Sequence, residues 1–263
     1  MKITSILLKA DWRNLIMIKL LQGDCMELMK NIPDKSIDMI LCDLPYGTTA
    51  QNKWDSVIPF EPLWEQYKRI IKDNGAIVLF SQLPFASDLI QSNKKMFRYE
   101  WIWQKPNAVG FLNANRMPLR SHENILVFYK KLPTYNPQKT KGKPYKAKSG
   151  NRTTTNYGTF NGDFHTENTT GDRYPVDIIK FSKEQGYHPT QKPVALLEYL
   201  IRTYTNEEDL VLDNCFGSCS TGVACINTNR NFIGMEINEE IFKIGKQRID
   251  KRLKELNYEN QDS

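Results

Sequence analysis

Short apolar runs alternate along this chain with stretches whose apolar residues recur every three or four positions, the marks of strands and amphipathic helices in turn. Residues 18–21 and 38–42 read as short buried strands, with a helical turn over 25–30 between them. Residues 60–72 space Leu63, Trp64, Tyr67, Ile70 and Ile71 along one helical face, carry Pro62 in the first turn and stop at Asn74-Gly75. The near-continuous apolar run at 76–80 suits a strand covered on both faces. Residues 97–104 and 124–130 are aromatic-rich and form a candidate pair of further strands. Farther along, the pattern predicts a helix over 193–204, a strand over 210–213, a helix over 222–229 and a strand over 232–236. A long amphipathic helix over 238–256 closes the series through Ile241, Ile244, Ile249, Leu253 and Leu256. Strands alternating with helices predict an α/β fold: an open, twisted, mostly parallel sheet with helices on both faces. No internal repeat interrupts it.

The periodicity lapses between the two halves, and there the composition changes. Residues 130–152 contain eight basic side chains (Lys130, Lys131, Lys139, Lys141, Lys143, Lys146, Lys148 and Arg152) and no acidic one. Taking those eight from the 36 basic residues leaves 28 against 30 acidic, so the formal charge of +6 resides in one segment on a slightly acidic body. Such a run reads either as solvated surface or as a polyanion-binding insert with lysines on phosphates and Tyr145, Tyr157 or Phe160 near bases. Charge alone does not choose between them.

At 263 residues and 40% hydrophobic, the chain is long and apolar enough to bury a real core, which excludes wholesale disorder. No stretch approaches the ~20 apolar residues that a bilayer span requires. The leucine-rich start is broken by Lys2, Lys9, Asp11, Arg13 and Lys19, a poor signal peptide, and residues 1–16 read as an unstructured extension. Five cysteines, an odd set with no tidy pairing, fit a reducing compartment and predict a cytoplasmic protein. Cys215, Cys219 and Cys225 lack a Cys-x-x-Cys pair, so no metal site is expected.

Two segments carry chemistry. Residues 211–222 run from a strand through a small-residue turn, Asp213-Asn-Cys-Phe-Gly-Ser-Cys-Ser220, into a helix whose free N–H groups invite a ligand. The next strand ends in Glu236, 23 residues after Asp213, where a carboxylate can accept hydrogen bonds from ribose hydroxyls. No Gly-Lys-Ser/Thr follows, so a nucleoside without phosphates fits better than a nucleotide. Asp43-Leu-Pro-Tyr46 directly follows the strand at 38–42, at the edge where open α/β sheets bind ligands. Asp43 and the Leu44 carbonyl can accept both hydrogens of an exocyclic amine, Pro45 stiffens the turn, and Tyr46 offers a flat face for a base turned out of a duplex. An ordinary strand-ending turn would use the same residue types.

Together these motifs resemble the beta-class S-adenosylmethionine-dependent amino-methyltransferases of DNA, in which a D-P-P-Y-like motif, a target-recognition region and a cofactor motif follow in that order. Gly23-Asp24, His188-Pro-Thr-Gln-Lys-Pro193 and Arg120-Ser-His-Glu-Asn-Ile-Leu-Val-Phe128 add matches at family-like positions, and the likeness spans residues 17–256. The resemblance implies a methyltransferase Rossmann-like fold with a catalytic half over 17–130, a target-recognition insert over 131–180 and a cofactor half over 181–258. It implies direct methyl transfer to the N6 amine of a flipped-out adenine in double-stranded DNA, without metal or covalent enzyme intermediate. The S-adenosylmethionine site would comprise Asp24, Thr190, Gln191, Lys192, Asp213, Gly217, Ser218 and Glu236. The recognition region would hold DNA through Lys139, Lys141, Lys143, Lys146, Lys148 and Arg152. A restriction enzyme as companion and a second copy as partner are both compatible with the family.

Departures from the pattern also carry expectations. Leu44 replaces the first proline of D-P-P-Y, which matters little if only its carbonyl is used. Cys219 stands where the family places glycine, so its side chain is expected to crowd the cofactor and to strain a left-handed backbone by roughly 1–2 kcal/mol. Cytosine N4 methylation, a DNA-binding protein with a degenerate cofactor site, and RNA methylation are the competing readings.

Overall fold

The computed structural model describes residues 3–11, 14–47, 56–147, 166–184, 186 and 191–259. The first half supplies β1 (Ile3–Asp11), β2 (Asn14–Gln22), α1 (Cys25–Met29), β3 (Ile37–Asp43), α2 (Phe60–Ile70), β4 (Ile71–Ser81), α3 (Phe85–Ser92), β5 (Phe97–Val109) and β6 (Arg120–Phe128). Four short strands follow, β7 (Thr140–Lys141), β8 (Tyr145–Ala147), β9 (Thr166–Asn168) and β10 (Asp172–Arg173). The last part comprises β11 (Ile178–Lys180), α4 (Val194–Tyr204), β12 (Leu210–Asp213), α5 (Ser220–Asn227), β13 (Asn231–Glu236) and α6 (Glu239–Glu259).

Nine of these strands, among the described residues, form one sheet in the order β1-β2-β13-β12-β3-β4-β6-β5-β11. The five from β2 to β4 run parallel to one another, while β1 is antiparallel to β2 and β6 is antiparallel to both β4 and β5. The mostly parallel α/β sheet expected from the sequence is therefore the fold observed. Strand alternation sends successive side chains to opposite faces. Met39, Leu41, Val78 and Phe80 join the core covered by α4, α5 and α6, through Leu200, Ala224 and Ile249. Ile40, Cys42, Ile77 and Leu79 join the other, beneath α1, α2 and α3, through Leu28, Leu63, Tyr67 and Leu89. Both layers being covered explains why the central strands read as unbroken apolar runs.

Three differences from the sequence reading have local causes. Residues 3–11, expected to be an unstructured extension, instead pair antiparallel with β2 as the outermost strand, from Ile3 opposite Leu21 to Asp11 opposite Asn14. The charges that break the apolar run are compatible with an edge strand. Helix α3, eight residues with Phe85, Ala86 and Leu89 buried, is too short for periodicity to declare. Strand β11 is only three residues long, and pairing with β5 rather than any pattern of its own defines it.

Residues 137–176 form a second compact unit. Two antiparallel ladders, β7 with β10 and β8 with β9, organise it. Its lysines are less bare than their sequence suggests: Lys141 lies 2.5 Å from Asp172 and Lys146 2.8 Å from Glu167. Lys139 stands 4.6 Å from the centre of the Tyr174 ring, and the Arg173 guanidinium 4.7 Å from that of Tyr145. Both ion pairs are exposed and so contribute little to stability. Lys148, Arg152, Tyr157 and Phe160 lie outside the described residues.

Candidate active site

The chain runs outward from β3 through α2 to β4 on one side, and from β12 through α5 to β13 on the other. Strands β3 and β12 are neighbours, with Leu212 opposite Ile40, so the order reverses between them. That reversal opens a crevice at the carboxyl ends of the strands. Asp43 ends β3 and Asp213 ends β12. Two motifs 170 residues apart in sequence are thereby brought to one edge.

A cavity of about 370 Å³ occupies the crevice. Asp24, Asp43, Asp213 and Glu236 give it acidic walls, and Ile58, Phe216, Ile237 and Ile241 an apolar side. Pro45, Gln191, Lys192, Gly217 and Ser218 also line it. The donor set suits a cationic ligand with a flat apolar part. Gly217 adopts φ +53°, and a Cβ built on it would meet nothing within 4 Å, so the turn leaves open space on that side. Thr190 and His188 lie outside the described residues.

The carboxylates are held by different means. Asp24 caps α1, accepting from the Met26 N–H at 2.8 Å, and remains exposed. Glu236 accepts from the Gly217 N–H at 3.1 Å and from the Asn238 N–H at 2.8 Å, which ties the small-residue turn to the end of β13. Burial pushes its carboxyl above the usual range, against those backbone donors. Asp213 is fully enclosed, accepting from Thr221 Oγ1 at 2.6 Å and from the Cys215 N–H at 3.1 Å, yet desolvation still raises its pKa to about 6.

A carboxyl raised in this way is favourable to folding below the unfolded value near 4, and that contribution is lost as pH rises through about 6. Asp213→Asn is therefore expected to stabilise the ligand-free protein at pH 8, by on the order of 1–3 kcal/mol, and to do little at pH 4. Thermal melts of both proteins at the two pH values check this.

At the turn that follows β3, Tyr46 donates its hydroxyl to Asp43 Oδ1 at 2.7 Å, and its ring rests 5.1 Å from that of Phe85. Burial and the Asp43 charge keep the Tyr46 hydroxyl protonated well beyond the ordinary tyrosine range. Leu44 is buried, so its side chain serves the core while the turn is shaped by Pro45. Lys192, which the resemblance put near the methionine end of the cofactor, makes an ion pair with Asp43 Oδ2 and lies 3.4 Å from Glu123 Oε2. Glu123 in turn pairs through Oε1 with Lys105.

Cys219 corrects one expectation and meets another. It adopts φ +61°, the left-handed conformation anticipated, but its side chain is wholly buried and does not line the cavity. A Cβ on Gly222 would come within 2.7 Å of its sulfur, and one on Gly245 within 3.1 Å of its Cβ. The thiol thus fills space left by two glycines on the core side, directed away from the cavity that it was expected to crowd.

Several contributors were not legible beforehand. Arg248, on α6, is buried and donates to Ser220 Oγ at 2.7 Å and to the Ser218 carbonyl at 3.2 Å, bracing the turn from below. Asn214 accepts from the Tyr67 hydroxyl at 2.6 Å while its amide reaches the sulfurs of Cys25 at 3.6 Å and Cys215 at 3.5 Å. Glu123 had a signal in the family-like strand that contains it. Arg248 had none beyond a charge on an otherwise apolar helical face.

A family model described as DNA methylase, of the N6/N4 type, matches residues 37–247. The Type II methyltransferase M.HpaI of Haemophilus parainfluenzae is 30% identical over 258 residues, which cover 88% of this chain and 74% of that protein. DNA adenine methyltransferase YhdJ of Escherichia coli (strain K12) is 27% identical, over 88% of this chain and 82% of its own length. Among solved structures, the M1.HpyAVI–SAM complex superimposes with a TM-score of 0.60 at 27% identity, covering 88% of this chain and all of that one.

Proposed function

The chain belongs to the N6/N4 family of DNA methylases and is an S-adenosylmethionine-dependent DNA methyltransferase; from that premise we propose that it methylates the exocyclic N6 amine of an adenine turned out of double-stranded DNA at a specific sequence, in the cytoplasm. The observation that carries the proposal is the position of Asp43 at the carboxyl end of β3, beside the cavity bounded by Asp213 and Glu236. When bound, S-adenosylmethionine supplies an electrophilic methyl group. Glu236 is suited to its ribose hydroxyls and Asp24 to its adenine, with Asp213, Gly217 and Ser218 forming the surrounding turn and Thr190, Gln191 and Lys192 toward its methionine end.

The protein's own part in the reaction is orientation. Asp43 and the Leu44 carbonyl accept the two amine hydrogens, which turns the nitrogen lone pair toward the cofactor side of the crevice. Pro45 fixes the turn, and Tyr46 stacks on the extruded base. Aspartate at the first motif position favours adenine within the resemblance, and the adenine specificity named for YhdJ is consistent with it. Sequencing of native DNA from cells expressing the chain, with modification detection, tests base and site together. Methylated adenine in one recurring motif is expected; methylated cytosine in its place would contradict the adenine assignment.

Lys139, Lys141, Lys143, Lys146, Lys148 and Arg152 are proposed to hold the DNA backbone. Log affinity should then fall steeply with log salt, by about 0.9 per neutralised phosphate. Converting the five lysines to glutamine is expected to flatten that slope by up to about 4.5, less where Lys141 and Lys146 are already paired with Asp172 and Glu167. Cofactor affinity should not change. Binding isotherms across a salt series give the result, and an unaltered slope would assign these lysines to solvated surface.

A further inference from the structure

Lys192 and its two carboxylates form an asymmetric arrangement. The ammonium is in hydrogen-bond contact with Asp43 Oδ2, while the Tyr46 hydroxyl occupies Oδ1, so neither carboxylate oxygen of Asp43 is open to an incoming amine. On its other side the same ammonium faces Glu123 Oε2 at 3.4 Å. Among the described residues that oxygen is buried and has no hydrogen-bond partner, although Oε1 of the same carboxylate is satisfied by Lys105. A buried carboxylate oxygen without a hydrogen-bond donor carries a desolvation cost that an ammonium brought into hydrogen-bond contact would relieve. Burial opposes the charge on Lys192, but Asp43 and Glu123 together outweigh it, so the lysine is held protonated. Burial likewise opposes ionisation of Glu123, and Lys192 and Lys105 outweigh that, so Glu123 stays a carboxylate.

We propose that Glu123 is a positioning residue that receives the Lys192 ammonium when the target amine takes its place on Asp43. The exchange trades one charge-assisted hydrogen bond for another and moves no net charge, since two lysines and two carboxylates balance throughout. It also has a consequence for the chemistry. As the nitrogen gains its methyl group it acquires positive charge, and an ammonium still on Asp43 would repel it. With Lys192 withdrawn to Glu123, the developing charge faces the Asp43 carboxylate alone. This inference rests on the reading of Asp43 as the acceptor of the amine, and holds for adenine or cytosine equally.

The test pairs kinetics with a direct observation of the lysine. In Glu123→Gln the ammonium has no carboxylate to receive it, so kcat with saturating DNA and cofactor is expected to fall about 10- to 100-fold, with the cofactor Kd within twofold. Glu123→Asp keeps the charge and should recover most of that loss, which a purely packing role for the longer side chain would not give. In the unaltered protein, the NMR signal of the Lys192 ammonium should shift when cognate DNA is added. It should stay in place with DNA whose target base lacks the exocyclic amine. Glu123→Gln turnover within twofold of the unaltered protein, or the same Lys192 signal with both DNAs, would overturn the inference. Absence of methyl incorporation into any DNA by the unaltered protein would instead overturn the reading beneath it.

Discussion

Asp43→Asn is expected to lower methyl transfer by on the order of 10²–10³-fold while cofactor affinity stays within about threefold. The asparagine keeps the shape of the side chain but offers one acceptor and one NH₂ donor where two acceptor oxygens stood. An amine hydrogen facing that NH₂ finds no partner, and the lone pair loses its direction. Loss of the ion pair to Lys192 need not unfold the turn, because Glu123 remains within 3.4 Å as a second carboxylate. Initial rates with methyl-labelled cofactor, alongside calorimetry of cofactor binding, separate the two effects. A variant retaining more than a tenth of the original rate would contradict a positioning role for Asp43.

The second large effect is expected at Glu236. This carboxylate accepts one backbone N–H from the small-residue turn and one from the start of α6, and it lines the cavity. Hydrogen bonds to charged groups contribute roughly 1.5–3 kcal/mol, so Glu236→Ala should weaken S-adenosylmethionine binding by about 10- to 100-fold. Glu236→Gln retains one acceptor and should lose about tenfold or less. Titration calorimetry measures both. Affinity within threefold for the alanine variant would remove Glu236 from the cofactor site.

What the sequence disclosed follows from what each residue does locally. The apolar runs at 76–80 and 210–213 declared buried strands because both faces of the central sheet are covered. Asp43 and Glu236 were visible because each ends a strand and carries charge at a place where charge must be explained. Lys192 was visible as part of a motif, but its partner was not. The contact with Asp43 spans 149 residues and depends on β3 and the turn before α4 meeting at one edge. Cys219 shows the reverse limit. Its left-handed backbone could be anticipated from the turn, whereas the direction of its side chain depended on Gly222 and Gly245, which leave room on the core side. The insert illustrates a third case. Its charge was legible, but the pairing of Lys141 with Asp172 and Lys146 with Glu167 arises only when its short strands form.

The catalytic reading comes down to one nitrogen atom. Double-stranded DNA incubated with the protein and methyl-labelled S-adenosylmethionine, then digested to nucleosides and separated, should carry its label in N6-methyladenine, at an initial rate on the order of 10²–10³-fold lower for the Asp43→Asn variant. Label confined to N4-methylcytosine, or equal labelling by the Asp43→Asn variant, would contradict it.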